Sequence, residues 1–253
     1  MTLPRTISVV VPAYNEARNL EEAVRDVVSA AAGFKDFEVL IVNDGSTDDT
    51  GEIAARLARA VPHVTAIHHP RNLGFAAAYR TALTQARMSY VTFVPGDHEV
   101  APESIRDIFA AVGSADLVIP YHATPHKRAR HRRLLTWVCT RQLNWLFGWR
   151  LRYYQGPTVY PTALAQALPA TVSGFFFATE MLVEAVDAGY TWVEVGLIHQ
   201  ERAYGASKAV ALSNVMNAQQ TMLRLWWDVR IRRKRAIPRV ERETAWELLG
   251  GMQ

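Results

Sequence analysis

Two stretches of this chain carry an apolar run into a cluster of polar side chains, the arrangement that chemistry at a sheet edge requires. Val9, Val10 and Val11 lead into Pro12, Ala13, Tyr14, Asn15 and Glu16, and the run Phe37 to Val42 leads into Asn43, Asp44, Gly45 and Ser46. In an open parallel sheet ligands bind in the crevice beyond the carboxyl ends of the strands, so two such ends together can hold a base, a ribose or a diphosphate. Gly45 permits the sharp turn that aims the Asp44 carboxylate into the crevice. A turn-forming Asp beside a Ser that caps the next helix is the plainer use of the same residues. Glu180 starts an otherwise apolar helical segment, where it serves either as a base or acceptor-positioning group or as an acid that stabilises the helix start through its dipole. Arg202, Gly205, Ser207 and Lys208 combine a guanidinium fork, a tight turn and the free amides of a helix start, a set that suits phosphate. An ordinary basic loop before a helix uses the same residue types.

The elements that position these groups follow from hydrophobic period. Leu20, Ala23, Val24, Val27, Val28 and Ala31 recur at helical spacing, and Phe37 to Val42 then reads as a buried strand. Ser46 or Thr47 is expected to cap a helix over Ile53, Ala54, Leu57 and Ala58. A strand over 63–68, a helix over 75–87, a strand over 90–94, a helix over 102–112 and a strand over 116–120 come next, followed by a helix over 175–188, a strand over 192–197 and a last helix from about Lys208. Alternation at this pitch predicts a mainly parallel sheet covered on both faces.

Charge divides the chain. Through Asp116 the net charge is −5, and from Leu117 onward it is +9. No carboxylate occurs from Leu117 to Thr179, while Lys127, Arg128, Arg130, Arg132, Arg133, Arg141, Arg150 and Arg152 fall within that stretch. Such a segment draws anions. The Trp, Leu and Phe residues between the charges point to a lipid phosphate or an anionic membrane surface rather than nucleic acid. The single Cys139 excludes an internal disulfide framework and a cysteine-rich zinc site, and beside Trp137 and Val138 it reads as a buried thiol. The N-terminal residues lack the pattern of a signal peptide, and no apolar run is long enough to span a bilayer, so the expected setting is the cytoplasm.

The order and spacing of Val-Pro-Ala-Tyr-Asn-Glu (residues 11–16), Asn-Asp-Gly-Ser-Thr-Asp (43–48), Asp97 and Arg-x-x-Gly-x-Ser-Lys (202–208) resemble the inverting family 2 glycosyltransferases, most closely the dolichol- and polyprenyl-phosphate mannosyltransferase-like members. The resemblance implies an α/β fold of the GT-A (Rossmann-like) type, a three-layer sandwich with a mainly parallel central sheet and a C-terminal helical extension. It places Pro12, Ala13, Tyr14, Glu16, Asp44 and Ser46 against the nucleoside, and Asn72 and Gly74 in an element that helps close the donor site. Asn43 departs from the pattern, since the family often has a second Asp there. Asp97 falls on the second acid of the family's metal-binding Asp-x-Asp, with Pro95 where the first would stand, and Glu99 is the candidate second ligand for Mg²⁺ or Mn²⁺, both oxygen-seeking ions. His98 would point the other way if that segment is extended. Arg202, Ser207 and Lys208 are implied phosphate ligands, and Asp97, Glu180, Arg202 and Lys208 the catalytic set.

By the same resemblance the segment after the fifth strand is an amphipathic helix at a membrane surface. Leu134, Val138, Trp145 and Trp149 would share one side, with Thr136, Thr140 and Asn144 opposite. Leu212, Val215, Met216, Met222, Leu223 and Trp226 form a second stripe ahead of Arg230 to Arg235, and lipid, core packing and a contact in a homo-oligomer each account for it. The expected organisation is a glycosyltransferase domain over 1–208, with a nucleotide-sugar half (1–121) and an acceptor half (122–208), then an amphipathic helix and basic tail over 209–253. The expected reaction moves a sugar from a nucleoside diphosphate to a polyprenyl phosphate with inversion. The alternatives are transfer to a small soluble acceptor, and a nucleotide-sugar-binding protein without turnover.

Overall fold

The computed structural model describes residues 4–124, 130–168, 172, 174, 176–200, 219 and 221–232, the side chains of 130–132 excepted. Five strands form the main sheet: β1 (Thr6–Ala13), β2 (Asp36–Asn43), β3 (Val64–His68), β4 (Tyr90–Phe93) and the short β6 (Tyr160–Pro161), in the order β3-β2-β1-β4-β6. All neighbours are parallel except β4 and β6. A second, two-stranded parallel sheet pairs β5 (Leu117–His122) with β7 (Trp192–Leu197), and a bridge between Val118 and Val159 joins it to the chain entering β6.

Side chains alternate across the central strands, as the pleat requires. Val9, Val11, Val39 and Ile41 meet Leu20, Val24 and Val27 of α1 (Leu20–Ala31), Ala54 and Leu57 of α2 (Thr50–Ala60), and Ile105 and Ile108 of α4 (Pro102–Ala110). On the other face Val10, Leu40 and Val42 belong to the core with α3 (Phe75–Leu83), α5 (Arg130–Phe147), α6 (Thr162–Ala167) and α7 (Phe176–Asp187). Helices therefore cover both faces, the expected three-layer sandwich.

Several expectations change in detail. The 153–179 stretch contains β6 and α6, neither of them expected from the sequence: a two-residue strand and a six-residue helix are too short to show a period. Helix α2 begins at Thr50 with Asp49 at its N-cap, so neither Ser46 nor Thr47 caps it. In α5, Cys139, Leu143 and Phe147 face the core, and Leu134, Trp137, Arg141 and Trp145 face outward at three- and four-residue intervals. Asn144 is not on an outer polar side. Its carboxamide accepts from the Leu151 amide and the Tyr154 hydroxyl and donates to the Leu151 carbonyl, fastening the turn after the helix. Trp149 lies beyond α5 and stacks on Phe147. Toward the C-terminus Met222, Leu225 and Val229 join the core, whereas Leu223 is exposed. Arg230 pairs with Asp187 of α7 and donates to the Phe147 carbonyl, so it packs on the domain rather than trailing from it. Leu212, Val215 and Met216 lie outside the described residues.

Candidate active site

Strands β1 and β2 run in register to their ends, Ala13 opposite Asn43, and the loops that follow are fastened to each other. The Asp44 amide donates to the Ala13 carbonyl at 2.9 Å. Asn15 takes a left-handed conformation, φ 57°, in which its amide donates to Ser46 Oγ at 3.0 Å while its side-chain oxygen accepts from the Thr47 amide at 2.8 Å. Ser46 is thus a clasp between loops rather than a helix cap. The Glu16 amide donates to Thr50 Oγ1, and the Glu16 carboxylate accepts from Asn19 at the start of α1. Asp48 accepts from the Ala17 amide and from the amide and hydroxyl of Thr50. Burial pushes the Asp48 pKa upward, but these donors outweigh it and hold the group below the usual carboxylate range.

Asp44 does more structural work than a ligand-facing carboxylate would. Its side chain is almost fully buried and accepts from the Leu73 amide at 2.9 Å, the Gly74 amide at 2.8 Å and His69 Nδ1 at 2.7 Å. The Asn72–Gly74 element is thereby held against the end of β2. Gly45, at φ 65°, leaves so little room that a Cβ there would run into the Arg71 and Asn72 backbone.

The acidic loop joins the same crevice. The Gly96 amide donates to the Pro12 carbonyl at 3.0 Å, and a Cβ on Gly96 would come within 3.1 Å of the Ala13 side chain. Asp97 accepts from the Glu99 amide. The segment is not extended: His98 is left-handed, φ 55°, and its ring bonds Asp26 of α1 at 2.8 Å. Among the described residues no three His, Cys, Asp or Glu side chains are grouped to cage a metal ion. Two hard-oxygen carboxylates, Asp97 and Glu99, nevertheless fit a Mg²⁺ or Mn²⁺ that arrives with a diphosphate, since such ions take one or two protein carboxylates and complete their shell from phosphate and water.

Residues 198–200 link this loop to a second site. Val100 bridges His199, Gln200 donates its amide to the Glu99 carbonyl and its side chain to the His98 carbonyl, and His199 Nε2 lies 2.9 Å from His122 Nδ1. His122, packed against Tyr153, lines a cavity of about 810 Å³ together with Tyr121, Arg133, Trp137, Arg141 and Arg152. The Arg152 guanidinium sits 4.3 Å from the Tyr121 ring and near Glu194, and that of Arg141 sits 5.1 Å from the Trp137 ring. Leu134, Trp137 and Trp145 on the outer face of α5 are 62%, 57% and 82% exposed. Among the described residues no helix is long and apolar enough to cross a membrane.

Glu180 lies in the second turn of α7, not the first, and is buried, accepting from the Val172 amide at 3.0 Å. Of its two readings, the one as a dipole-stabilising acid in the first turn therefore does not hold. Arg202, Ser207 and Lys208 lie outside the described residues. His69, Thr81, His122 and His199 carry no recognisable spacing in the sequence. Only their nearness in sequence to the Asn72–Gly74 element, the end of β5 and the end of β7 could draw attention to them.

A family model described as glycosyl transferase family 2 matches residues 8–165, the stretch holding both loop clasps and the acidic loop. The glycosyltransferase AglD of Haloferax volcanii is 29% identical over 248 residues, which cover 93% of this chain but 38% of that protein. The polyprenol monophosphomannose synthase of Mycolicibacterium smegmatis is 29% identical over 241 residues, 90% of this chain and 89% of that protein. Among solved structures, glucosyl-3-phosphoglycerate synthase of Mycobacterium tuberculosis, in complex with Mn²⁺, UDP and phosphoglyceric acid, superimposes with a TM-score of 0.65 at 18% identity, covering 88% of this chain and 78% of that one. With its matched region forming a crevice at the ends of parallel strands, this chain belongs to glycosyl transferase family 2 and is a glycosyltransferase of the GT-A fold.

Proposed function

We propose that the protein transfers a sugar from a nucleoside diphosphate sugar to a polyprenyl phosphate, with inversion at the anomeric carbon. The observation that carries this reading is the direct connection between the donor crevice and an arginine- and aromatic-lined cavity, through residues 198–200 and the His122–His199 contact. Arg133, Arg141 and Arg152 suit a phosphate, and Trp137 with the exposed α5 face suits the apolar chain attached to it. The relative from Mycolicibacterium smegmatis, whose name states a polyprenol phosphate product, supports the same class.

In this reading Pro12 to Glu16, Asp44, Ser46, Asn72 and Gly74 form the nucleoside end of the donor site, with Asp44 and Ser46 acting through the loops they hold. Asp97 and Glu99 hold Mg²⁺ or Mn²⁺, as the Mn²⁺ in the Mycobacterium tuberculosis neighbour also suggests. An ion held there would supply positive charge against the leaving nucleoside diphosphate. A phosphate acceptor is already ionised, so the protein's task is to align it and shield its charge; no strong base is required. Arg202, Ser207 and Lys208 complete the phosphate-binding set. The exposed face of α5 rests on an anionic membrane surface, with Arg133 and Arg141 toward the headgroups. The protein is offered labelled UDP- and GDP-sugars with a polyprenyl phosphate, and in parallel with phosphoglyceric acid and simple alcohols. Label that partitions into the lipid phase is the expected result. Transfer only to a soluble acceptor assigns the cavity to small substrates, and donor binding without transfer to any acceptor makes the chain a binding protein.

A further inference from the structure

We infer that His69 is a positioning residue for the donor nucleotide, acting through Asp44; the inference rests on the donor-site reading above. His69 follows β3, and its amide donates to the Asn43 carbonyl at 2.9 Å, which puts its ring beneath the end of β2. The ring is 7% exposed and both nitrogens are engaged: Nδ1 with Asp44 Oδ1 at 2.7 Å, Nε2 with Thr81 Oγ1 of α3 at 2.9 Å. A carboxylate only accepts, so Nδ1 carries the proton. The Asp44 bond thus sets the tautomer, and in the neutral ring Nε2 accepts from the Thr81 hydroxyl, which can serve as either donor or acceptor.

These contacts bear directly on the ligand. Asp44 Oδ1, which accepts from His69, also accepts from the Leu73 amide, and Oδ2 accepts from Gly74. One carboxylate therefore couples four segments: the end of β2, the residue after β3, the Asn72–Gly74 loop and, through Thr81, α3. Rotating it would release the two amides that hold the loop. The loop carries Leu73, a half-exposed apolar side chain, and the left-handed Gly74 that leads into α3. His69 thus sets the distance between the Asn72–Gly74 wall and the β1–β2 floor, and with it the width of the slot for the nucleoside.

The test is calorimetric titration of the whole chain with UDP and GDP in the presence of Mn²⁺, alongside donor and acceptor KM. Wild type is expected to bind one of the two nucleotides. His69→Ala should weaken that binding about tenfold or more and raise donor KM in step, with acceptor KM held within about twofold. His69→Asn, whose side-chain N–H takes the place of Nδ1–H, should recover most of the loss, and Thr81→Val should weaken binding about threefold. A folded His69→Ala protein that binds as wild type overturns the proposal. Should His69→Ala fail to fold, Thr81→Val decides the question, and unchanged affinity in that variant overturns the proposal equally. A wild type that binds neither nucleotide refutes the donor-site reading itself, and this proposal falls with it.

Discussion

The two halves of the molecule solve recognition in opposite ways. Around the ends of β1 and β2 nearly every polar group named above is spent on another part of the chain: Asn15 on Ser46 and Thr47, Glu16 on Asn19, Asp48 on Thr50, Asp44 on His69, Leu73 and Gly74. Around α5 the charged and aromatic groups are displayed instead, with Leu134, Trp137, Arg141 and Trp145 outward and three arginines lining the cavity. A nucleotide pocket needs fixed walls, because its ligand is small and must be held in one pose. A lipid-linked acceptor needs a surface, because most of the ligand stays outside the protein.

If that contrast is right, a small change in the donor half should cost far more than a larger one in the acceptor half. Gly45→Ala is expected to destabilise the fold by about 3 kcal/mol or more, since it places a Cβ at a positive φ and against the Arg71 and Asn72 backbone. Chemical denaturation measures this. A loss below about 1 kcal/mol would mean that the two loops are not packed as tightly as described.

This difference also explains what could be read from the sequence. The strand ends and the turn at Gly45 announced themselves through hydrophobic runs and through a residue type with few uses. The direction of Asp44 did not. Its partners, His69 and two backbone amides, become neighbours only when β3 lies beside β2, and no local pattern encodes that. Ser46 misled for a related reason, because a Ser ahead of a helix looks like a cap whether or not a left-handed Asn15 from another loop has claimed its oxygen. The α5 helix is legible only through the family resemblance, and helical spacing laid over it puts Asn144 on a polar side opposite Trp145 when its real partners, Leu151 and Tyr154, lie beyond the helix end. The His122–His199 contact depends on the parallel pairing of β5 with β7, whose strands are 70 residues apart in the chain, from His122 to Trp192.

A smaller effect is expected at the exposed face of α5, where membrane contact is proposed. Replacing Trp137 and Trp145 together by Ser should weaken binding to anionic vesicles by about 2 kcal/mol, roughly thirtyfold, with melting temperature unchanged because both side chains are exposed. Sedimentation with vesicles of phosphatidylglycerol reads this out, and equal binding by the double variant would remove α5 from the membrane contact. The smallest effect concerns acid. The depressed pKa of Asp48 contributes stability that is complete above the ordinary value of 3.8 and is lost as pH falls through the lower folded value. Asp48→Asn should therefore lower stability modestly at neutral pH and flatten the acid limb of the profile, the two proteins converging as pH falls through the folded value; a difference of the same size at every pH contradicts the assignment.

The division of labour is tested most directly by steady-state kinetics of Arg141→Gln with a short-chain, water-soluble polyprenyl phosphate, which removes the membrane from the comparison. Arg141 lines the cavity, whose lining includes no residue from the ends of β1 and β2. The expected outcome is an acceptor KM raised about tenfold, the value of one charge-assisted contact to phosphate, with donor KM and metal dependence unchanged. An unchanged acceptor KM, or a rise in donor KM of the same size, would contradict it.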